Sequence, residues 1–190
     1  MVQIKDRKGK VLFDRSDSDF SYVDLRKVDL QGNDLLNLNL RGANFSDALL
    51  CGVYFGDVNL SDANLRCANL RGAVLSDNAN LTSANLRSAD LRGSNSVGTN
   101  LSNADLRGSD LRGADFFDCN LSCVNLIGAN LRGVNLRGVN LTGANLYKAD
   151  LRGADLTDSN LTGANLYEAN LTDVNLAGAN LTGAKCNEEI

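Results

Sequence analysis

From Ser18 onward an apolar residue recurs at every fifth position. One run has its centres at Phe20, Leu25, Leu30 and so on to Leu75; a second runs from Leu81 to Leu181. These are 12 and 21 centres, 33 in all, and each is Leu or Phe except Ser96. The residue two before the centre is small, as in Ala43, Ala84, Val134 and Ala164. The residue one before it is Asn or Asp in 30 of the 33 units; Leu49, Tyr54 and Val74 depart from this. The two residues after the centre are polar or Gly in most units.

A period of five fits neither a continuous helix nor a continuous strand. Within one unit, however, the centre and the residue two before it share a strand face, and the Asn or Asp points to the other. Each unit therefore reads as a very short strand followed by a corner, where Gly and Asp are suited to the turn. One such unit cannot bury its apolar face alone and must stack on copies of itself.

The number of units per coil follows from sorting the residue after each centre. Taken every fourth unit, one class reads Arg71, Arg92, Arg112, Arg132, Arg152, and another reads Thr82, Ser102, Ser122, Thr142, Thr162. Sorting by threes mixes the classes. A coil thus has four sides and twenty residues. About eight coils at roughly 4.8 Å each make a rod of roughly 40 Å.

The grammar resembles the pentapeptide-repeat family, with its A(D/N)Lxx unit, from residue 18 to about 185. The resemblance implies an all-β fold, a right-handed quadrilateral parallel β-helix. Residues 1–17 lack the repeat; Val2-Gln3-Ile4 and Val11-Leu12-Phe13 flank Arg7-Lys8-Gly9-Lys10, which predicts a β-hairpin capping the first coil. Residues 18–188 are expected to form the β-helix as a single domain.

Two irregularities stand out. The step from Leu75 to Leu81 is six residues, so one of Ser76-Asp77-Asn78 is extra, and a corner bulge absorbs it without moving later units to new sides. Ser96 replaces an inward leucine, so its hydroxyl needs a partner, and Phe116, next on that side, is placed to fill the space.

Stacking turns each class into a ladder. One side carries Asn rungs expected to bond amide to amide between coils. A second stacks Arg with Asp at zero net charge. A third begins with Arg26, Arg66, Arg87 and Arg107 and changes to Ile127, Tyr147 and Tyr167. The fourth gathers Asp34, Asp57, Asp77, Asp115, Asp118, Asp155 and Asp158 against Arg137 alone. That acidic stripe is the candidate partner-binding surface, fitted to a basic groove.

Composition narrows the chemistry. There is no His, Pro or Trp, so the commonest near-neutral acid/base is missing. No Ser or Cys has a base at a convincing spacing, and a leucine-filled interior leaves no pocket. A non-enzyme without cofactor or metal is expected. The five Cys, at 51, 67, 119, 123 and 186, form no C-x-x-C and read as small residues at repeat positions. A net charge of -4 argues against binding nucleic acid directly. No apolar run is long enough for a membrane helix, and the charged start is no signal peptide, which points to a cytoplasmic chain.

The leading function is a scaffold for a protein partner. Some pentapeptide-repeat proteins inhibit or protect type II topoisomerases such as DNA gyrase, confer quinolone resistance and are thought to imitate duplex DNA; the resemblance implies this as the alternative. The polar tail after Leu181 is too short for a covering helix, so the last coil is expected to expose apolar groups. A homodimer through the C-terminal coils, with Tyr147, Tyr167, Leu176 and Leu181 in the contact, would cover them. The competing expectation is a tail folded back with Ile190 on the core.

Overall fold

The computed structural model describes residues 1–76 and 78–187. Asp77 and the proposed fold-back of Ile190 lie outside the described residues. From residue 19 to residue 185 the rung residues pair in parallel with residues 20 later, or 21 across the six-residue step. One column alone joins Asp19, Asn39, Asn59, Asn80, Asn100, Asn120, Asn140, Asn160 and Asn180. The pairs Tyr54↔Val74 and Asn59↔Asn80 flank the extra residue and leave the side assignment unchanged. The fold is a four-sided parallel β-helix.

The backbone around Leu131 shows how a unit is held. The Leu131 N–H donates to Asp150 O at 2.8 Å, Asn130 N–H to Ser109 O at 2.9 Å, and Gly133 N–H to Arg152 O at 3.0 Å. Val134 N–H closes the corner onto Leu131 O at 3.2 Å. The second corner residue has positive φ, as a type II turn requires. Gly133 takes φ 62° without steric penalty, but Tyr22, Lys27, Cys67, Lys148 and Glu168 are held at 57–58°. Side chains cost of order 1–2 kcal/mol in this region; the ladder bonds on both flanks hold them there.

Leu131, Leu151 and nearly all other mid-chain centres are 0–2% exposed, and the small residues before them are buried as well. Rung side chains face outward and act on their own unit: Asn130 Oδ1 accepts Arg132 N–H at 3.4 Å, and Asn160 Oδ1 accepts Thr162 N–H at 3.1 Å. This explains why Asn and Asp dominate, since each caps a corner N–H that inward packing cannot reach. One such bond contributes about 0.5–1.5 kcal/mol net.

Residues 1–15 form the expected hairpin. Strand β1 (Val2–Lys5) pairs antiparallel with β2 (Val11–Arg15), Ile4 opposite Phe13. Gly9 turns it at φ 83°. Asp6 Oδ1 accepts the N–H groups of Lys8 and Lys10, each at 2.9 Å. Ile4 is fully buried, and Arg7 N–H donates to Asp29 O at 2.8 Å, so the hairpin is tied to the first coil. Among the described residues no helix is long and apolar enough to cross a membrane.

Ser96 departs from expectation. It is fully buried, yet among the described residues its hydroxyl and that of buried Ser94 find no hydrogen-bond partner. Phe116 is fully buried on the adjacent rung, with Ser96 N–H donating to Asp115 O at 2.8 Å. The Cys119 thiol donates to Ser96 O, and burial pushes that thiol up to about 12. Apolar packing was met here at the hydroxyl's expense.

Candidate interaction surface

Each outward side presents three positions per coil: the rung and the two corner residues. Their chemistry divides as the fourfold sort implies, with physical detail that the sort did not contain.

On the Asn side the amide-to-amide ladder is partial. Asn59 Nδ2 donates to Asn39 Oδ1 at 3.1 Å, and Asn140 to Asn120 at 3.3 Å. Where Thr follows the centre, its hydroxyl donates to the same unit's Asn, as Thr162 does to Asn160 at 2.6 Å. The local cap thus competes with the ladder for the same acceptor.

On the Arg side the ion pairs form mainly within a unit. Arg92, Arg112 and Arg152 reach Asp90, Asp110 and Asp150 at 2.6, 2.7 and 2.6 Å. One longer pair crosses coils, Arg92 Nε to Asp110 Oδ2 at 3.6 Å. Rung and first corner residue share a face two positions apart, so the nearest cation to each Asp is its own. Arg side-chain hydrogen bonds hold the carboxyls of Asp90, Asp110 and Asp150 below their ordinary range. These acids are satisfied.

On the third side Asp24 and Asp105 pair in the same way with Arg26 and Arg107. Tyr147 and Tyr167 stack with ring centroids 6.2 Å apart and planes 6° from parallel. Tyr147 Oη donates to Glu168 Oε1 at 2.9 Å, and the Lys148 ammonium lies 4.9 Å from the Tyr147 ring. Beyond them the last described coil is open: Leu171, Leu176 and Leu181 are only half-buried. Leu166, Leu171, Val174, Leu176 and Cys186 help line a depression of ≈ 670 Å³ there.

On the fourth side the bridges place Asp34, Tyr54, Val74, Asn95, Asp115, Asn135, Asp155 and Asn175 in one column. Asp57, Asp118 and Asp158 take positive-φ corners beside it. The stripe is therefore divided. Asp115, Asp118, Asp155 and Asp158 lie toward one end, Asp34 and Asp57 toward the other, and Tyr54 and Val74 interrupt the column between. Among the described residues no ion pair reaches Asp34, Asp57, Asp115, Asp118 or Asp158, while Arg137 approaches Asp155 only to 3.9 Å. The Thr157 hydroxyl first, then its N–H, lowers the Asp155 carboxyl. Asp115 Oδ1 accepts Asn135 Nδ2 at 2.8 Å and Phe117 N–H at 3.0 Å. Asp34, Asp57 and Asp115 are thus oriented by neutral donors, and among the described residues no cation pairs with them.

A four-sided solenoid of five-residue units, with its chemistry on flat outer sides, defines the class of protein. The model of the pentapeptide-repeat family matches residues 16–47, 39–77, 79–116, 119–158 and 159–188, in 8 copies. The chain belongs to that family. Among solved structures it is similar to QnrB1, a plasmid-mediated fluoroquinolone resistance protein, with 23% identity over 90% of each chain and a TM-score of 0.52. It is also similar to HetL, a pentapeptide repeat protein involved in heterocyst differentiation regulation from the cyanobacterium Nostoc sp. strain PCC 7120, with 31% identity over 90% of each chain and a TM-score of 0.33. A third, from the Arabidopsis thaliana thylakoid lumen, is 33% identical over 50% of this chain and 66% of its own, with a TM-score of 0.48. No curated protein matches the sequence. The likeness to QnrB1 is one of fold.

Proposed function

We propose that the protein is a non-catalytic scaffold whose fourth side receives a basic protein partner. The uncompensated acid there carries the reading. Asp90, Asp105, Asp110 and Asp150 each have their own arginine, whereas among the described residues Asp34, Asp57, Asp115, Asp118 and Asp158 have none. Unpaired like charge on one face raises association rates with a basic surface and sets partner choice. Leucine side chains occupy the interior, so binding chemistry belongs on the outside.

The test replaces Asp115, Asp118, Asp155 and Asp158 by Asn together. Asn stands at most rungs and tolerates the left-handed corners, so the coil persists. Capture of a partner from the native cell at low salt is expected to be lost with this variant. With the unaltered protein it weakens as salt rises. Equal capture by both proteins removes this side from consideration.

A second reading, imitation of duplex DNA toward a type II topoisomerase, draws on the likeness of fold to QnrB1. Asp115 and Asp155 stand two coils apart, roughly 10 Å, against one charge per about 1.7 Å along the duplex. This reading therefore asks for a contact at a few phosphate positions only. A gyrase supercoiling assay with titrated protein decides it: inhibition or protection lost in the Asn variant supports the mimic, and an unaffected enzyme rejects it.

The C-terminal coils supply a further contact in this proposal, between two copies of the 190-residue chain. The half-buried Leu176 and Leu181 and the stacked Tyr147 and Tyr167 support it. Light scattering at micromolar concentration is expected to give the mass of a dimer, and of a monomer for Leu181→Glu. A monomeric wild type rejects the contact, and a dimer that survives the substitution rejects this interface.

A further inference from the structure

Of the three departures from Asn or Asp at the rung position, two stack directly on each other, and the third, Leu49, stands on the neighbouring Arg side between Asp29 and Asn69. Tyr54 pairs directly with Val74 on the fourth side, and Leu49 occupies the rung one unit before Tyr54 in the same coil. The remaining 30 rungs, spread over all four sides, are Asn or Asp. Leu, Tyr and Val have no Oδ1 to cap the following N–H, the bond that Asn130 and Asn160 provide in their units. The rung side chains of these three units cannot supply that cap, and they present apolar groups outward.

The residues around them follow the same chemistry. Gly56, in a position held in most other units by Arg, Ser or Thr, is buried beneath its neighbours. A Cβ there would fall 2.7 Å from Leu36 Cδ2 and 3.0 Å from Tyr54 Cε1, so glycine lets these two side chains close over the rung. Leu49 is 39% exposed and Phe117 is 45% exposed. Val97 continues the strip between Val74 and Phe117, half-buried at the first corner position. Asp34 pairs with Tyr54 through the bridge ladder, Asp57 sits at the corner after Gly56, and Asp115 and Asp118 bracket Phe117. Among the described residues none of the four has an ion-pair partner.

We propose that Leu36, Tyr54 and Val74, flanked by Leu49 on the neighbouring side, form an apolar anchor for a basic amphipathic polypeptide segment, whose Lys or Arg residues meet Asp34 and Asp57. This rests on the acidic-side reading above and adds the anchor that gives a charged face its dwell time. Charge steers the encounter, but well-packed apolar and aromatic anchors hold it. The carboxylates select the occupant. They repel anionic lipid headgroups and leave a second acidic copy of this chain poorly matched, while an apolar ridge edged with Lys or Arg complements both features.

The probe is a labelled synthetic Leu/Lys peptide with leucine at helical i, i+3, i+4, i+7 spacing, compared with a scrambled peptide of the same composition. The decisive variant is Leu49→Asn/Tyr54→Asn/Val74→Asn, which restores the residue the other rungs carry, so its coil is expected to melt no lower than the wild type. By fluorescence anisotropy the wild type is expected to prefer the amphipathic peptide. The triple variant should bind it at least about tenfold more weakly, the loss typical of an interface anchor. Asp34→Asn/Asp57→Asn should weaken binding and flatten its salt dependence. Binding by the triple variant as tight as by the wild type overturns the anchor; the broader acidic-side reading then stands or falls on the Asp115, Asp118, Asp155 and Asp158 substitutions alone. Equal affinity for the scrambled peptide also overturns it. So does a wild-type dimer that the triple variant converts to monomer, since the second copy is then the occupant, and so does patch-dependent binding to vesicles of anionic lipid.

Discussion

Leu131→Asp is expected to unfold the middle coils, while Arg132→Ala leaves them intact. The two residues are neighbours in sequence and opposites in environment. Leu131 is fully buried on a column of inward leucines, with Leu111 and Leu151 on the adjoining rungs. Removing it forfeits about 1.5–3 kcal/mol of apolar burial. The carboxylate that replaces it has no cation inside the coil and costs several kcal/mol more unless it is protonated. A solenoid is held by contacts between neighbouring repeats, so a broken coil uncouples the stacks on either side. The Arg132 side chain makes no ion pair among the described residues, and its one bond to Asn130 comes from the backbone N–H, which alanine keeps. Its loss should change stability by under about 1 kcal/mol. Thermal melts followed by circular dichroism check the pair: equal melting temperatures for the two variants would refute the inward and outward assignment.

This contrast was legible from the sequence because the fold has one period. The five-residue spacing gives each residue an inward, outward or corner place, and the fourfold sort gives it a side. The bridges of residue i with i+20 confirm both. What could not be read was the bonding within the outward positions. Asn was assigned to a ladder between coils, and its Oδ1 also caps its own corner: Asn39 Oδ1 accepts Asn59 Nδ2 at 3.1 Å and Arg41 N–H at 3.3 Å. Arg and Asp were assigned to a stacked array, whereas Arg92, Arg112 and Arg152 each lie nearest the Asp of their own unit. Lys148 and Glu168 in left-handed corners contradict local preference, and only the ladder on either side of them explains it.

The candidate surface was half legible. Summing charge by side found the stripe, and the structure keeps its described members on one side. The sum hid the order along the column. Asp34 and Asp57 are separated from Asp115 and Asp118 by Val74 and Asn95, with Tyr54 on the rung after Asp34, an order that a charge count passes over. The signal was present in the sequence, since Tyr54 and Val74 are twenty residues apart, the interval that stacks two rungs in this fold, and Leu49 precedes Tyr54 by one unit on the neighbouring side.

The pair Ser96 and Phe116 should show the largest coupling between two sites in the molecule. They occupy adjacent inward positions on the fourth side, both fully buried. At Ser96 the coil lacks most of a leucine's volume, and at Phe116 it holds more than a leucine's. Phe116→Ala therefore opens a cavity beside a residue that is already small, and should destabilise by about 3–5 kcal/mol, toward the upper end for lack of a side chain to collapse into the space. Ser96→Leu alone adds volume against an intact phenyl ring, and overpacking of this kind costs about 1–3 kcal/mol. The double substitution Ser96→Leu/Phe116→Leu restores the repeat's own residue at both positions and also removes the orphan Ser96 hydroxyl, whose burial without a partner costs about 1–3 kcal/mol. It should be at least as stable as the wild type, although Ser96→Leu and Phe116→Leu are each destabilising alone. Denaturant melts of the four proteins give the coupling directly, expected within about 0.5–3 kcal/mol for residues in contact. Additive effects would mean that the two positions do not share volume, and that the phenyl ring was accommodated by some other part of the coil.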